Sequence, residues 1–194
     1  MNLANKLTLL RVLLIPFFLL FVYLKVPFHF LFALIVFTAA SITDALDGKI
    51  ARSRNLVTNF GKFLDPLADK VLVLAALAVF VEIPEIRMGA VPLIIISARE
   101  FMVSGLRLLA ADSGVVVAAG MWGKLKTAFT MVAIVTAMVW LSVCFDFSFN
   151  IPGNITAIVD DWVIPALIWI STALTVISGG IYLKGYWHLI DTDK

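Results

Sequence analysis

Four carboxylates stand within 26 positions of an otherwise apolar chain: Asp44, Asp47, Asp65 and Asp69. A charge at the centre of a bilayer costs roughly 2.5–3.5 kcal/mol or more, so acids this close to apolar segments imply a cation to bind. On a helix, residues three or four apart share a face. Asp44 and Asp47 would then form one pair and Asp65 and Asp69 another. Two such helices facing each other would converge four carboxylates on one point. That is an all-oxygen donor set suited to Mg²⁺, Mn²⁺ or Ca²⁺, with room in principle for two ions. As solvated helix-end acids, any one of them could simply pair with Lys49, Arg52 or Lys70. Four in one frame argue against that.

The residues between the acids are as particular. Gly48, Ala51 and Gly61 are small, which lets membrane helices approach closely. Arg52 is either a plain interfacial anchor or a contact to phosphate, for which its planar fork is suited. Further cations, Arg107, Lys124 and Lys126, flank later apolar runs and could be anchors or a pocket for a phosphate-bearing molecule. Arg99 and Glu100 sit deep in an apolar run, where an ion pair with other buried groups is the plainest reading.

These side chains must be positioned by membrane helices. The chain has 194 residues, 62% hydrophobic and 14% charged, with a mean hydropathy of +1.04. A soluble domain is nearer half apolar and a quarter charged. Six apolar segments, at 7–24, 27–43, 63–81, 89–111, 126–145 and 162–182, are about 17 to 23 residues long, close to the ~20 that span the hydrocarbon core. The expected fold is an all-α integral membrane bundle of six transmembrane helices, one domain over residues 1–194, without a separate soluble domain. The N-terminal apolar run lacks a small-x-small cleavage site and reads as a retained first helix.

Six spans put both termini on one side. Of the Lys and Arg residues only Lys25 and Arg87 fall on the other side, together with Glu82, Glu85, Asp146, Asp160 and Asp161, while Arg99 lies too deep to assign. The positive-inside rule places the termini and the aspartate cluster at the cytoplasmic face of the cell membrane. A net charge of +2 is too small to argue for nucleic acid. Cys144 is the only cysteine, which excludes a disulfide within the chain. His29 and His188 have no spaced partner and do not read as metal ligands.

The run Asp44-Ala45-Leu46-Asp47-Gly48-Lys49-Ile50-Ala51-Arg52, eight residues, then Gly61-Lys62-Phe63-Leu64-Asp65-Pro66-Leu67-Ala68-Asp69 resembles the signature of the CDP-alcohol phosphotransferases in every residue type. The resemblance implies a membrane enzyme that breaks a CDP-linked pyrophosphate and moves a phosphatidyl-type group to an alcohol. It implies two divalent ions, Mg²⁺ or Mn²⁺, held by Asp44, Asp47 and Asp65, with Asp69 as general base also touching one ion. It makes Gly48, Ala51, Arg52, Thr58 and Gly61 contacts to CDP-diacylglycerol, and it implies a homodimer.

Three more stretches are similar to the phosphatidylglycerophosphate synthase branch of that family: Asn5-x-x-Thr8-x-x-Arg11, Ala98-Arg99-Glu100 through Arg107, and Gly123-Lys124-Leu125-Lys126-Thr127. The first would add Asn5 and Thr8 to the nucleotide pocket. The others would make Arg107, Lys124 and Lys126 the site for the phosphate of glycerol-3-phosphate. Thr130 departs from the pattern, since many relatives carry glutamine there. The likeness covers nearly all of residues 1 to 131; beyond that the chain reads as generic apolar sequence. Two alternatives remain open from the residues: the same chemistry on another acceptor (an inositol phosphate, serine or phosphatidylglycerol), or a divalent-cation transporter using the aspartates as a permeation site. Transporters more often place such acids at the bilayer midplane, whereas these cluster at one face.

Overall fold

A computed structural model of the chain describes residues 3–24, 26–53, 59–112, 120–147 and 149–187, with the backbone alone described for 3–6, 44–53, 59–66, 69 and 111–112. The described residues are helical apart from short turns. That is what a bilayer demands, because lipid offers no partner to a backbone N–H or C=O and a helix satisfies its own. The helices are α1 (Leu3–Tyr23), α2 (His29–Ser53), α3 (Asn59–Glu82), α4 (Ala90–Asp112), α5 (Met121–Leu141), α6 (Gly153–Ile158) and α7 (Ile164–Tyr186). A π-helical turn, Val159–Val163, joins α6 to α7 in one continuous run, and another, Ser142–Asp146, ends α5.

Each of the six apolar segments coincides with helix to within one or two residues at its ends, and two of the helices run well beyond theirs. α2 continues past Thr43 through the charged signature to Ser53, and α3 begins at Asn59, before Phe63. Apolarity marks where a helix meets lipid, not where its hydrogen bonding stops. Two helical runs, Met121–Asp146 and Gly153–Tyr186, are long and apolar enough to cross a membrane, and Leu7–Tyr23 and His29–Thr43 are shorter apolar helices. Outward-facing positions such as Leu13, Ile35, Ile94, Phe101, Leu108 and Trp169 are large, apolar and exposed. That surface suits contact with lipid rather than water.

The helices close a ring. α1 packs on α2, α2 on α5, α5 on α7, α7 on α4, α4 on α3, and α3 back on α1. Contacts fix the directions. Phe18 meets Phe37 and Phe21 meets Phe32, so α1 and α2 are antiparallel. The hydroxyl of Tyr23 donates to Glu82 at 2.7 Å, so α1 and α3 run the same way. Thr130 meets Ser171, and the Gly120 amide meets Tyr182, so α5 and α7 are antiparallel.

The interior is divided along its axis. One end is filled by Phe18, Phe37, Phe80, Leu77, Ile134, Met138 and Ile168. The other end holds the buried polar residues Thr8, Arg11, Arg99, Lys126, Thr130, Ser171, Thr175 and Ser178. The apolar end is closed by acids acting on neighbouring helices. Asp146 accepts from the amides of Leu31 at 2.7 Å and Phe30 at 3.4 Å, satisfying orphan donors at the start of α2. Asp160 accepts from Trp140 Nε1 at 2.6 Å, and Asp161 pairs with Arg87.

Candidate active site

Asp44 and Asp47 lie in the last turns of α2, and Asp65 and Asp69 in the first turns of α3. Both pairs stand on unbroken helix, the condition their spacing requires. Because α2 and α3 run in opposite directions, these segments belong to the polar end of the ring. The side chains of Asp44, Asp47, Gly48, Ala51, Arg52, Gly61, Asp65, Asp69 and Asn5 are outside the described ones, and Thr58 lies outside the described residues altogether. Four carboxylates on two adjoining helix ends remain, by donor chemistry, a set that fits hard divalent cations.

Lys70, the residue after Asp69, lines a small cavity between α3, α4 and α5 with Glu100, Lys126, Thr127 and Thr130. Thr130 donates back to the Lys126 carbonyl at 2.9 Å and shares a 2.6 Å hydrogen bond with Ser171 on α7. Thr130 thus ties α5 to α7 beside the cavity.

Around this cavity the buried charges are organised. Lys126 Nζ donates to Glu100 Oε1, and Arg99 donates to the same oxygen from 3.2 Å. The second guanidinium branch of Arg99 donates to Ser178 Oγ. Two cations on one carboxylate leave this largely buried trio with a net charge of +1. Arg99 gains room for this because α7 presents Gly179 beneath it: a Cβ there would stand 3.1 Å from Arg99 Cγ and 3.4 Å from Met102 Cε.

The cations expected to hold an acceptor phosphate are thus distributed. Lys126 is buried and engaged by Glu100. Lys124 is exposed on the first turn of α5. Arg107 is exposed on α4 and donates to the Tyr182 hydroxyl at 3.1 Å. Thr8 and Arg11, from the first-helix motif, are both fully enclosed at the polar end.

Ser178 and Tyr182 were not anticipated. They belong to a stripe on α7, Ser171, Thr175, Ser178 and Tyr182, all buried. The 4-3-4 spacing is the helical period, so the signal was present as a polar face on an apolar helix.

Residues 1–177 match the family model described as CDP-alcohol phosphatidyltransferase. The chain is 38% identical to the CDP-diacylglycerol–glycerol-3-phosphate 3-phosphatidyltransferase of Bacillus subtilis (strain 168), over 100% of this chain and 99% of that protein. It is 36% identical to the enzyme of the same name from Rickettsia bellii (strain RML369-C), over 94% of each. With the Escherichia coli (strain K12) enzyme, also of that name, identity is 43% over 69% of this chain and 74% of the relative. The chain belongs to the CDP-alcohol phosphatidyltransferase family. It is therefore a transferase, and the transporter reading of the aspartates falls away.

Proposed function

We propose that this protein transfers the phosphatidyl group of CDP-diacylglycerol to glycerol-3-phosphate, giving phosphatidylglycerophosphate and CMP. The observation that carries this is the naming of relatives matched over nearly the full chain. The cationic groups of α4 and α5 beside the aspartate helices support it, since a phosphate-bearing acceptor needs fixed positive charge there.

Asp44, Asp47 and Asp65 would hold two divalent ions, Mg²⁺ or Mn²⁺, with Asp69 touching one of them. Such ions, when bound, neutralise a pyrophosphate and polarise the phosphorus under attack. Asp69 takes the proton of the acceptor hydroxyl. The oxygen so released forms a bond to the phosphorus bearing diacylglycerol, and the bond from that phosphorus to the CMP oxygen breaks. Arg52 binds the diphosphate, and its fork offsets charge on the departing phosphate. Asn5, Thr8, Gly48, Ala51, Thr58 and Gly61 shape the nucleotide pocket. Arg107, Lys124 and Lys126 supply the field that holds the acceptor phosphate.

The protein crosses the cell membrane six times as a homodimer, with this end facing the cytoplasm, where both the soluble acceptor and CMP are exchanged. The lysine and arginine asymmetry supports that orientation. The diacylglycerol tails enter sideways from the lipid. The test is CMP release by the purified protein in lipid nanodiscs, given CDP-diacylglycerol and a panel of acceptors. Glycerol-3-phosphate should be used far better than inositol phosphate, serine or phosphatidylglycerol. Preference for any of the other three would overturn the acceptor assignment while leaving the phosphatidyl transfer intact.

A further inference from the structure

We propose that Tyr182 is a positioning residue for the acceptor, acting through Arg107; this rests on the reading of Arg107 as an acceptor-phosphate contact. Tyr182 sits on α7, far from the signature in sequence, and only 5% of its surface is exposed. Its hydroxyl oxygen accepts from the Arg107 guanidinium at 3.1 Å and from the Gly120 amide at 2.9 Å. One oxygen therefore ties together α4, α7 and the residue that opens α5, the helix bearing Lys124 and Lys126.

The ring does a second job. The guanidinium carbons of Arg99 and Arg107 stand 5.5 and 5.6 Å from its centroid, within the range of cation–π attraction. Arg99 is fixed further by Glu100 and Ser178. Arg107 is exposed, on a side chain with many rotamers. Holding it beforehand lowers the ordering cost of binding a phosphate and directs the remaining N–H donors of the fork. Lys70, Glu100 and Lys126 line the cavity on the α3–α5 side, so Arg107 and Tyr182 approach the polar end from the α4–α7 side. Tyr182 has no chemistry of its own to perform. Its effect is on where a cation stands.

Tyr182→Phe keeps the ring and removes the oxygen, which isolates the positioning role. In full-length protein in nanodiscs, the KM for glycerol-3-phosphate should rise about tenfold, the scale of one hydrogen bond to a charged group. The KM for CDP-diacylglycerol should stay at the wild-type value, and the melting temperature should fall by only about 2–4 °C, the cost of the hydrogen bond lost to the Gly120 amide. Arg107→Ala should also raise the acceptor KM, and adding Tyr182→Phe to it should cause no further rise, because the oxygen acts through that arginine. If Arg107→Ala leaves the acceptor KM unchanged, the reading of Arg107 itself fails. If Arg107→Ala raises it but Tyr182→Phe does not, or the two effects simply add, the positioning role is overturned and the acceptor site stands. A Tyr182→Phe protein that melts far below that range, fails to fold, or loses affinity for both substrates alike marks the hydroxyl as a structural brace and overturns the proposal as well.

Discussion

Glu100 of α4 and Lys126 of α5 form an ion pair inside the polar end of the ring, with side-chain exposures of 14% and 8%. The pair joins two segments singled out separately by their sequences, and it changes what each can do. Lys126 is not a free cation waiting for a phosphate. It is one of two positive charges that share a carboxylate with Arg99, and its field on a ligand is partly cancelled.

Glu100→Ala should therefore damage the fold more than the loss of one exposed acid would. It leaves Arg99 and Lys126 as uncompensated charges, and breaking a buried pair from one side costs about 3–5 kcal/mol. The melting temperature in detergent should drop well below wild type. Glu100→Gln, which keeps two polar atoms in place, should fall between them. A Glu100→Ala protein that melts like wild type would mean that water reaches the pair freely.

The metal assignment makes a chelator the simplest probe. EDTA should abolish CMP release, and Mg²⁺ or Mn²⁺ should restore it. Asp44→Asn, Asp47→Asn and Asp65→Asn should each abolish activity with the melting temperature preserved, because each replaces a charged oxygen ligand by a neutral amide. Full activity in excess chelator would remove the two-ion mechanism.

Asp69→Asn separates proton transfer from binding. CDP-diacylglycerol should still bind, while kcat falls by about 10²-fold or more, the usual scale of a lost general base. Wild-type turnover in this variant would send the proton elsewhere.

Gly179 tests the close approach of α7 to Arg99. A side chain there would press on Arg99 Cγ and Met102 Cε. Gly179→Val should lower stability by about 1–3 kcal/mol, the cost typical of overpacking, read as a fall in melting temperature. Gly180→Val is the control, since a Cβ at Gly180 meets nothing within 4 Å. Equal losses at the two positions would show that the helix itself, not the contact, is at fault.

The orientation is accessible to labelling. In a Cys144→Ser background, cysteines at Thr58 and Lys194 should react with impermeant reagent from the cytoplasmic side and one at Glu85 from the opposite side. Reaction of the Thr58 and Glu85 positions from one side would break the six-span arrangement between α2 and α4.

The sequence by itself determined the kind of chemistry, the membrane setting and the existence of the six long helical stretches. Those depend on local facts: residue type, spacing along one helix, and apolar length against bilayer thickness. The helical setting of the aspartates was legible because residues three or four apart share a face once the backbone is helical, as it is through these positions of α2 and α3. The ring order, the division of its interior, the capture of Lys126 by Glu100 and the reach of Tyr182 to Arg107 and Gly120 were decided only by the tertiary structure. Tyr182 is 75 residues from Arg107 and 62 from Gly120, and no local pattern records which face of α7 turns toward α4 and which toward α5. That rotation is set by how all the helices pack at once: small residues such as Gly179 let α7 approach closely enough for buried polar groups to find each other.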